Sequence, residues 1–314
     1  MTIGKAMRVI VAGMGVQGEK RKSVAGEACV ATVDPIKPDV DYRSVMDVPL
    51  DSFDAALVCV PDSAKPEVLT HLLSNGKHVL VEKPLLDIEA GDLDKLARLA
   101  KSNNAICYTA YNHRFEPHFV RMRDLLQSDV LGKIYSVRLF YGNGTARLVR
   151  DSVWRDEGAG VLPDLGSHLL DTLMFWFGHS VLDTPFNVTS ASRFENNSFD
   201  HVTAISTGKI KVQMEMTLLM WRNHFTCDIL AEKGSAHIES LCKWGPTTFS
   251  HRERIFPSGR PHEDAVTLVQ PDPTWSSEYD AFLEHCASGT GANISTDMII
   301  ERNLKSMADQ AMEL

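Results

Sequence analysis

Residues 8–20 read Arg-Val-Ile-Val-Ala-Gly-Met-Gly-Val-Gln-Gly-Glu-Lys, and no other stretch constrains the fold as much. A short apolar, β-prone run, residues 9–12, is followed by Gly13, Gly15 and Gly18 in Gly-x-Gly-x-x-Gly spacing. This pattern predicts a buried parallel strand that turns sharply into a helix. Gly13 takes the tight turn, Gly15 leaves bare backbone for a pyrophosphate to approach, and Gly18 lets helix and strand come close. Free N–H groups at the helix N-terminus favour an anion. Gly13, Met14, Gly15, Val16 and Gln17 are therefore the candidate phosphate-binding residues. A glycine turn without a ligand is the bland alternative. The preceding strand and the acidic residue ending the next one favour a dinucleotide.

That acidic residue is Asp34, placed to accept hydrogen bonds from the adenosine ribose. Its charge repels a 2′-phosphate, so NAD is expected over NADP, although Lys37 nearby weakens the preference. The alternative is a turn Asp before Pro35. The segment from Asp34 to the next strand, residues 54–60, is short and holds Pro35, Pro38 and Pro49. A parallel crossover normally needs a dozen residues or more, usually helical. Here the segment must also supply an edge strand near residues 41–45. The usual crossover helix is expected to be missing or reduced to a loop.

Strand and helix then alternate: helix 65–75 closed by Gly76, strand 78–81, helix 88–102, strand 105–110. This is the signature of a doubly wound parallel α/β domain, here residues 1–113. Ligands of such sheets sit beyond the carboxyl ends of the strands, where Pro61, Asp62, Glu82, Lys83, Tyr111 and Asn112 fall. Residues 114–314 read as a second, α+β domain: a helix over 116–128, a strand over 133–141 and an Arg- and Gly-rich loop over 142–160. A helix over 162–177 follows. Strands are expected at 187–194, 201–207, 210–221, 225–231 and 236–240, then helices at 275–287 and 296–312. Short links between strands predict a large open, mostly antiparallel sheet. Ile210, Val212, Met214, Met216, Leu218 and Met220 alternate, as one buried face requires, against a partner subunit or against this chain's own helices.

Composition narrows the partners. The formal net charge of −9 argues against nucleic acid and anionic membranes. The six cysteines lack metal-knuckle or Cys-x-x-Cys spacing and read as free thiols, and no metal site is expected. No apolar run is long enough to span a bilayer, and the expected compartment is the cytoplasm.

Asp164 and His168 lie four apart on the predicted helix, which stacks them on one face, with Asp171 on the same side. A carboxylate beside an imidazole raises its basicity and fixes its orientation, as a general base requires. An acidic helix start with a satisfied histidine is the alternative. Lys83 follows an apolar strand, and its ammonium suits stabilisation of a developing alkoxide. Arg147, Arg150 and Arg155, with Trp154, in the preceding loop suit a carboxylate or phosphate on the substrate, or equally a solvated loop.

Taken together, Gly13-x-Gly15-x-x-Gly18, Glu82-Lys83-Pro84, Trp154-Arg155 and Gly158-Ala159-Gly160-x-x-x-Asp164-x-Gly166-x-His168-x-x-Asp171 resemble the Gfo/Idh/MocA oxidoreductases over essentially the whole chain. The resemblance implies a Rossmann domain, a C-terminal open sheet, and a substrate held between that sheet and a nicotinamide. It implies oxidation or reduction of a secondary alcohol on a sugar, cyclitol or nucleotide-sugar. Lys83, Asp164 and His168 would be catalytic: Lys83 orienting the hydroxyl next to a cis bond to Pro84, His168 as acid/base, Asp164 tuning it and touching substrate. Asp34, Pro61, Asp62, Glu82, Lys83 and Asn112 would join the glycine loop in binding NAD. Arg114, Arg150, Trp154 and Arg155 would face substrate, and a homodimer or homotetramer would form through the second sheet. Two other readings keep the fold: a lyase or glycosidase using NAD transiently, and a non-catalytic NAD-binding regulator. The sequence departs from the family pattern at Ala159, at Pro61-Asp62-Ser63-Ala64-Lys65 in place of Pro-Asn-x-x-His, and in the short segment after Asp34.

Overall fold

In the computed structural model, residues 7–85, 90–153, 155–291 and 294–314 are described. They form two compact units: Met1–Asn112 with Trp275–Met298, and residues 113–274 with Ile299–Leu314.

The first unit runs β1 (Val9–Ala12), α1 (Val16–Ala25), β2 (Cys29–Val33), β3 (Ala55–Val58), α2 (Lys65–Ser74), β4 (His78–Glu82), α3 (Ala90–Ser102) and β5 (Cys107–Ala110). The strands form one parallel sheet in the order β2-β1-β3-β4-β5. Successive residues of each strand face opposite sides, so the sheet needs apolar cover twice. Ile10, Ala12, Ala56, Val58, Val79 and Val81 meet Leu69, Leu72 and Leu73 of α2 and Leu93 and Leu96 of α3. Val9, Val11, Leu57 and Leu80 face the other way, toward Ala25, Tyr279 and Phe282. The crossovers from β3 onward all step in one direction, and right-handedness puts their helices on one face. The face that holds α1 is completed by residues from near the far end of the chain.

No helix follows Asp34 before the 3₁₀ turn Val45–Asp47. The expected edge strand shrinks to a single bridge, Val33 to Tyr42. Val45, Val48 and Phe53 fill the place of a crossover helix on that face. The loop is tied instead of wound: Asp41 accepts from Thr32 N and Oγ1 at 2.8 and 2.9 Å. Arg43 donates to the carbonyls of Lys37 and Pro38.

The second unit contains α4 (Pro117–Gln127), β6 (Ile134–Gly142), α5 (Ala146–Arg150), α6 (Ser167–Phe177), and strands β7 (Asn187–Ser192), β8 (His201–Ser206), β9 (Lys211–Thr217), β10 (His224–Ala231), β11 (Gly234–Glu239), β12 (Thr247–Glu253) and β13 (Glu263–Leu268). Helix α7 (Thr274–Ser288) falls almost wholly in the first unit, and α8 (Ile294–Glu313) begins there and ends in the second. The eight strands are ordered β13-β12-β11-β10-β6-β9-β8-β7, antiparallel except where β6 runs parallel to β9. The sheet is larger than the sequence pattern suggested. β12 and β13 are rich in charged and small residues, and α5 interrupts what was read as pure loop. Val212, Met214 and Met216 are buried within this chain, Met216 close to Gly166 beside Leu304 of α8. The alternating face therefore packs on the chain's own helices. The other side of the strand, with Gln213 and Glu215, is only half-buried.

Candidate active site

The glycine loop has the geometry that its spacing demands. Gly13 has φ +89°, and a Cβ there would lie 2.5 Å from Cys59 O. A Cβ on Gly18 would overlap the Gly13 carbonyl, whereas one on Gly15 would meet nothing within 4 Å. Gly15 caps α1 without a side-chain hydrogen bond. The helix N-terminus thus presents backbone beside open space, which fits a pyrophosphate. Asp34 is locked to this loop: Oδ2 accepts from Met14 N at 2.8 Å, and Oδ1 from Ile36 N and Lys37 N at 2.9 Å. Burial opposes its charge, but these three amides and the Lys37 ammonium outweigh it and hold the carboxyl below its usual range.

The Glu82-Lys83-Pro84 turn ends β4 with a cis bond between Lys83 and Pro84. Two cations hold it: Arg21, which no motif marks, and Lys65, which the sequence shows only as a departure from the family pattern. Arg21, 1 % exposed on α1, donates to Glu82 Oε1 at 2.8 Å and to Glu278 Oε2 at 2.7 Å, and its guanidinium lies 4.3 Å from the Trp275 ring. Lys65, 2 % exposed, donates to the carbonyls of Glu82 and Pro84, both at 2.8 Å, and pairs with Asp62. Lys65 stands where the family pattern has histidine, and its amine clasps both flanks of Lys83. Asp62, expected at the cofactor, is engaged by Lys65, with Pro61 immediately before it. Asn112 is buried at the start of the 3₁₀ turn Asn112–Phe115. A 570 Å³ cavity in this unit, lined by Pro66, His71, Asp92 and Leu96 among others, contains none of the glycine-loop or Glu82–Pro84 residues.

In the second unit, Asp164 does not lie on the α-helix with His168. It lies in one π turn, Leu162–Gly166, ahead of α6. A π turn closes i to i+5, so the simple i, i+4 stacking expected of the pair is loosened. Asp164 is drawn toward Arg155, at 3.6 Å. Asp171 faces elsewhere: its buried carboxylate takes Arg114 Nε and Nη2 at 2.9 and 2.5 Å. Burial pushes that carboxyl up, against the pull of Arg114. Arg114, expected to face substrate, is thereby anchored to α6. Arg147 and Arg150 are exposed on α5, and Trp154 lies outside the described residues. Asp156 clamps the loop end, accepting from Asn197 N and Ser198 N at 2.8 and 3.0 Å.

His168 is 8 % exposed and stacks on His113, centroids 3.9 Å apart and planes at 16°. His113 Nε2 lies 3.3 Å from Lys243 Nζ, which is also 3.3 Å from Tyr141 Oη. Tyr141 is buried, and desolvation, helped by Asp164 and Glu116, pushes its phenol up. Glu116 is 1 % exposed, its Oε2 accepting from Cys242 N at 3.1 Å, and burial pushes its carboxyl up. His113, Glu116, Tyr141 and Lys243 come from three separate places in the chain, and no spacing rule links them. None of the four was singled out as a site residue from the sequence.

On the other face of this sheet, Ser235, His237 and Asp228 form a hydrogen-bonded chain, at 2.8 and 2.6 Å. Arg252 Nη1 lies 3.3 Å from the same His237 Nε2 that faces Ser235. The guanidinium competes for that lone pair, and the group reads as a cross-strand polar cluster. Among the described residues, no group of three or more His, Cys, Asp or Glu is arranged to hold a metal. Nor is any helix among them long and apolar enough to cross a membrane.

Comparison with known proteins meets this geometry. Residues 8–111 match the oxidoreductase family with an NAD-binding Rossmann fold, and residues 119–237 match the GFO/IDH/MocA C-terminal domain. The chain belongs to the Gfo/Idh/MocA family of oxidoreductases. It is 32 % identical over 142 residues to an uncharacterized oxidoreductase of Schizosaccharomyces pombe, covering 44 % of this chain and 36 % of that one. It is 26 % identical over 134 residues to glucose-6-phosphate 3-dehydrogenase of Bacillus subtilis, covering 41 % and 38 %. The aligned part thus spans well under half the length of either relative. The fold is similar to that of levoglucosan dehydrogenase in complex with NADH and levoglucosan, with TM-score 0.82 and 16 % identity over 98 % of both chains. Sugar and cyclitol dehydrogenases recur among this family member's relatives.

Proposed function

We propose that this family member is an NAD-dependent dehydrogenase or reductase acting on a secondary alcohol of a sugar, cyclitol or nucleotide-sugar. The observation that carries the reading is His168: a nearly buried imidazole, stacked on His113 and just past the π turn that holds Asp164, which lies 3.6 Å from Arg155. In this reading residues 1–113 hold the cofactor, and residues 114–314 hold substrate and build the oligomer, a homodimer or homotetramer.

Gly13 to Gln17 would seat the pyrophosphate and Asp34 the adenosine ribose. Asp34 held ionised disfavours a 2′-phosphate, so NAD is preferred to NADP. When bound, the nicotinamide supplies the hydride acceptor. His168 takes the hydroxyl proton as the carbinol is oxidised and returns it in reduction. Lys83 donates to the reacting oxygen and stabilises its developing charge. Lys65 and Arg21 keep that lysine's turn in place. Asp164 orients substrate and stabilises the imidazolium.

The test uses His168→Ala and Lys83→Ala in an NAD-reduction assay over neutral and acidic sugars and inositols. Turnover should fall by about 10²- to 10⁴-fold, the range for loss of a general acid–base group, while NAD affinity by calorimetry stays within about twofold. Normal turnover in either variant would refute its assigned role. Light scattering of the eluting protein checks the oligomer, and a monomer at micromolar concentration would remove that part of the reading.

A further inference from the structure

The cation at Lys243 has no place in the reaction as set out above. Its side chain is half-buried, but its amine is held inside the second unit by two partners that are not carboxylates, Tyr141 Oη and His113 Nε2, both at 3.3 Å. The Trp244 ring lies 4.7 Å away. A lysine ammonium has three protons to donate. Two are taken up, and the third finds no acceptor among the described residues. None of their carboxylates lies within 4 Å of it either. Arg21 and Lys65, both deeply buried cations, each have a carboxylate within 3 Å. Desolvation pulls the Lys243 amine below its usual range, although Glu116, Asp272 and Asp164 act on it from farther off. Glu116 is itself pushed toward the neutral acid, and Asp164 is drawn to Arg155. A buried charge left this way is costly unless something pairs with it.

We propose that Lys243 is the specificity-determining cation of the substrate site and takes the carboxylate of an acidic sugar or other polyhydroxy acid. This rests on the dehydrogenase reading above, because it is His168 that places the reacting carbinol beside this corner. His113 bridges the two groups: one edge faces Lys243, and its ring lies on His168. The carboxylate therefore sits within a few bonds of the carbon that is oxidised. One remaining proton on a point charge suits a single carboxylate oxygen, whereas a phosphate dianion recruits several donors.

The experiment compares galacturonate and gluconate with galactose, glucose and myo-inositol, in wild type and in Lys243→Met, Lys243→Gln and Lys243→Arg. Thermal melting establishes that each variant is folded. Calorimetric binding to the NAD-loaded protein is measured beside NADH formation. Wild type should bind and turn over an acid in preference to its neutral counterpart. Lys243→Met and Lys243→Gln should weaken acid binding by about 10- to 100-fold, the usual worth of a hydrogen bond to a charged group. KM should rise accordingly, with kcat within about threefold, and Lys243→Arg should recover most of the loss. Equal losses for acids and neutral sugars would show a merely structural lysine and overturn the inference. So would wild-type preference for neutral sugars, or failure of either acid to bind. Acid binding that depends on Lys243 without any NADH would sustain the inference and count against the dehydrogenase reading instead.

Discussion

Arg21 in the first unit and Lys243 in the second are both held by the protein at the amine or guanidinium end, but on opposite terms. Arg21 lies between two carboxylates and on an indole face; burial opposes its charge, but Glu82 and Glu278 together outweigh it and raise its pKa. Lys243 has no carboxylate among its hydrogen-bond partners, and desolvation prevails. The same contrast holds for carboxylates. Glu278 is wholly buried and ion-paired, while Glu116 is equally buried but has no ion pair among the described residues. Asp297 in the first unit accepts from Thr109 Oγ1 at 2.6 Å and Tyr111 Oη at 3.0 Å. At these positions the first unit pairs its buried charges with its own side chains. In the second, Lys243 has hydrogen-bond partners but no carboxylate within 4 Å among the described residues. A unit that receives the same dinucleotide in every turnover gains from a rigid, satisfied frame. On the proposed function, one that discriminates among polyols gains from groups that a substrate satisfies.

The contrast breaks most readily at Arg21. Arg21→Met leaves Glu82 and Glu278 buried without their cation and should cost about 3–5 kcal/mol in urea unfolding, as loss of one partner of a buried pair does. Glu278→Gln should fall in the same range. Glu116→Gln sharpens the comparison: burial already opposes its charge and an amide oxygen can still accept from Cys242 N, so the expected change is below about 1 kcal/mol. A loss at Glu116 as large as at Glu278 would erase the distinction between the units.

Lys65→Met removes a donor from the carbonyls on both sides of Lys83 and should cost about 1–3 kcal/mol. Because Lys65 acts on Lys83 through that turn, kcat should drop with little change in substrate KM, and Lys65→Arg should restore part of it. A KM effect without a kcat effect would argue against a positioning role.

The smallest effect concerns pH. The Asp34 carboxyl is held below its usual range, so its contribution to stability is complete above the unfolded-state pKa of about 3.9. It is lost as pH falls through the lower folded value. Asp34→Asn should lower the urea midpoint slightly at neutral pH and flatten its decline below about pH 4. Parallel acid profiles for the two proteins would contradict the amide-held carboxylate.

Much of the first unit was legible because its determinants are local. The glycine turn, the acidic strand end and the missing crossover helix follow from spacing, strand chemistry and chain length, and the glycine positions have the stereochemistry that their order required. Lys83, Asp164 and His168 were legible as motif members. Arg21 and Lys65 were present in plain view but unremarkable, since a basic residue on a short amphipathic helix is usually solvated. Strands β12 and β13 carry too many charged residues to announce a sheet, and their pairing to β11 supplies what their composition does not.

The sequence by itself determined a dinucleotide-type α/β unit, a second sheet, and which residues were chemically able to act, because short-range stereochemistry and hydrophobic period are written residue by residue. Only the tertiary structure decided that Asp171 belongs to Arg114, that Asp164 sits in a π turn, and that Lys243, 75 positions beyond His168 in the chain, shares a corner with it. The physical reason is that desolvation and hydrogen bonding depend on distances in space. A lysine in a turn has no marked pKa or partner until long-range strand pairing carries it into a place that water leaves.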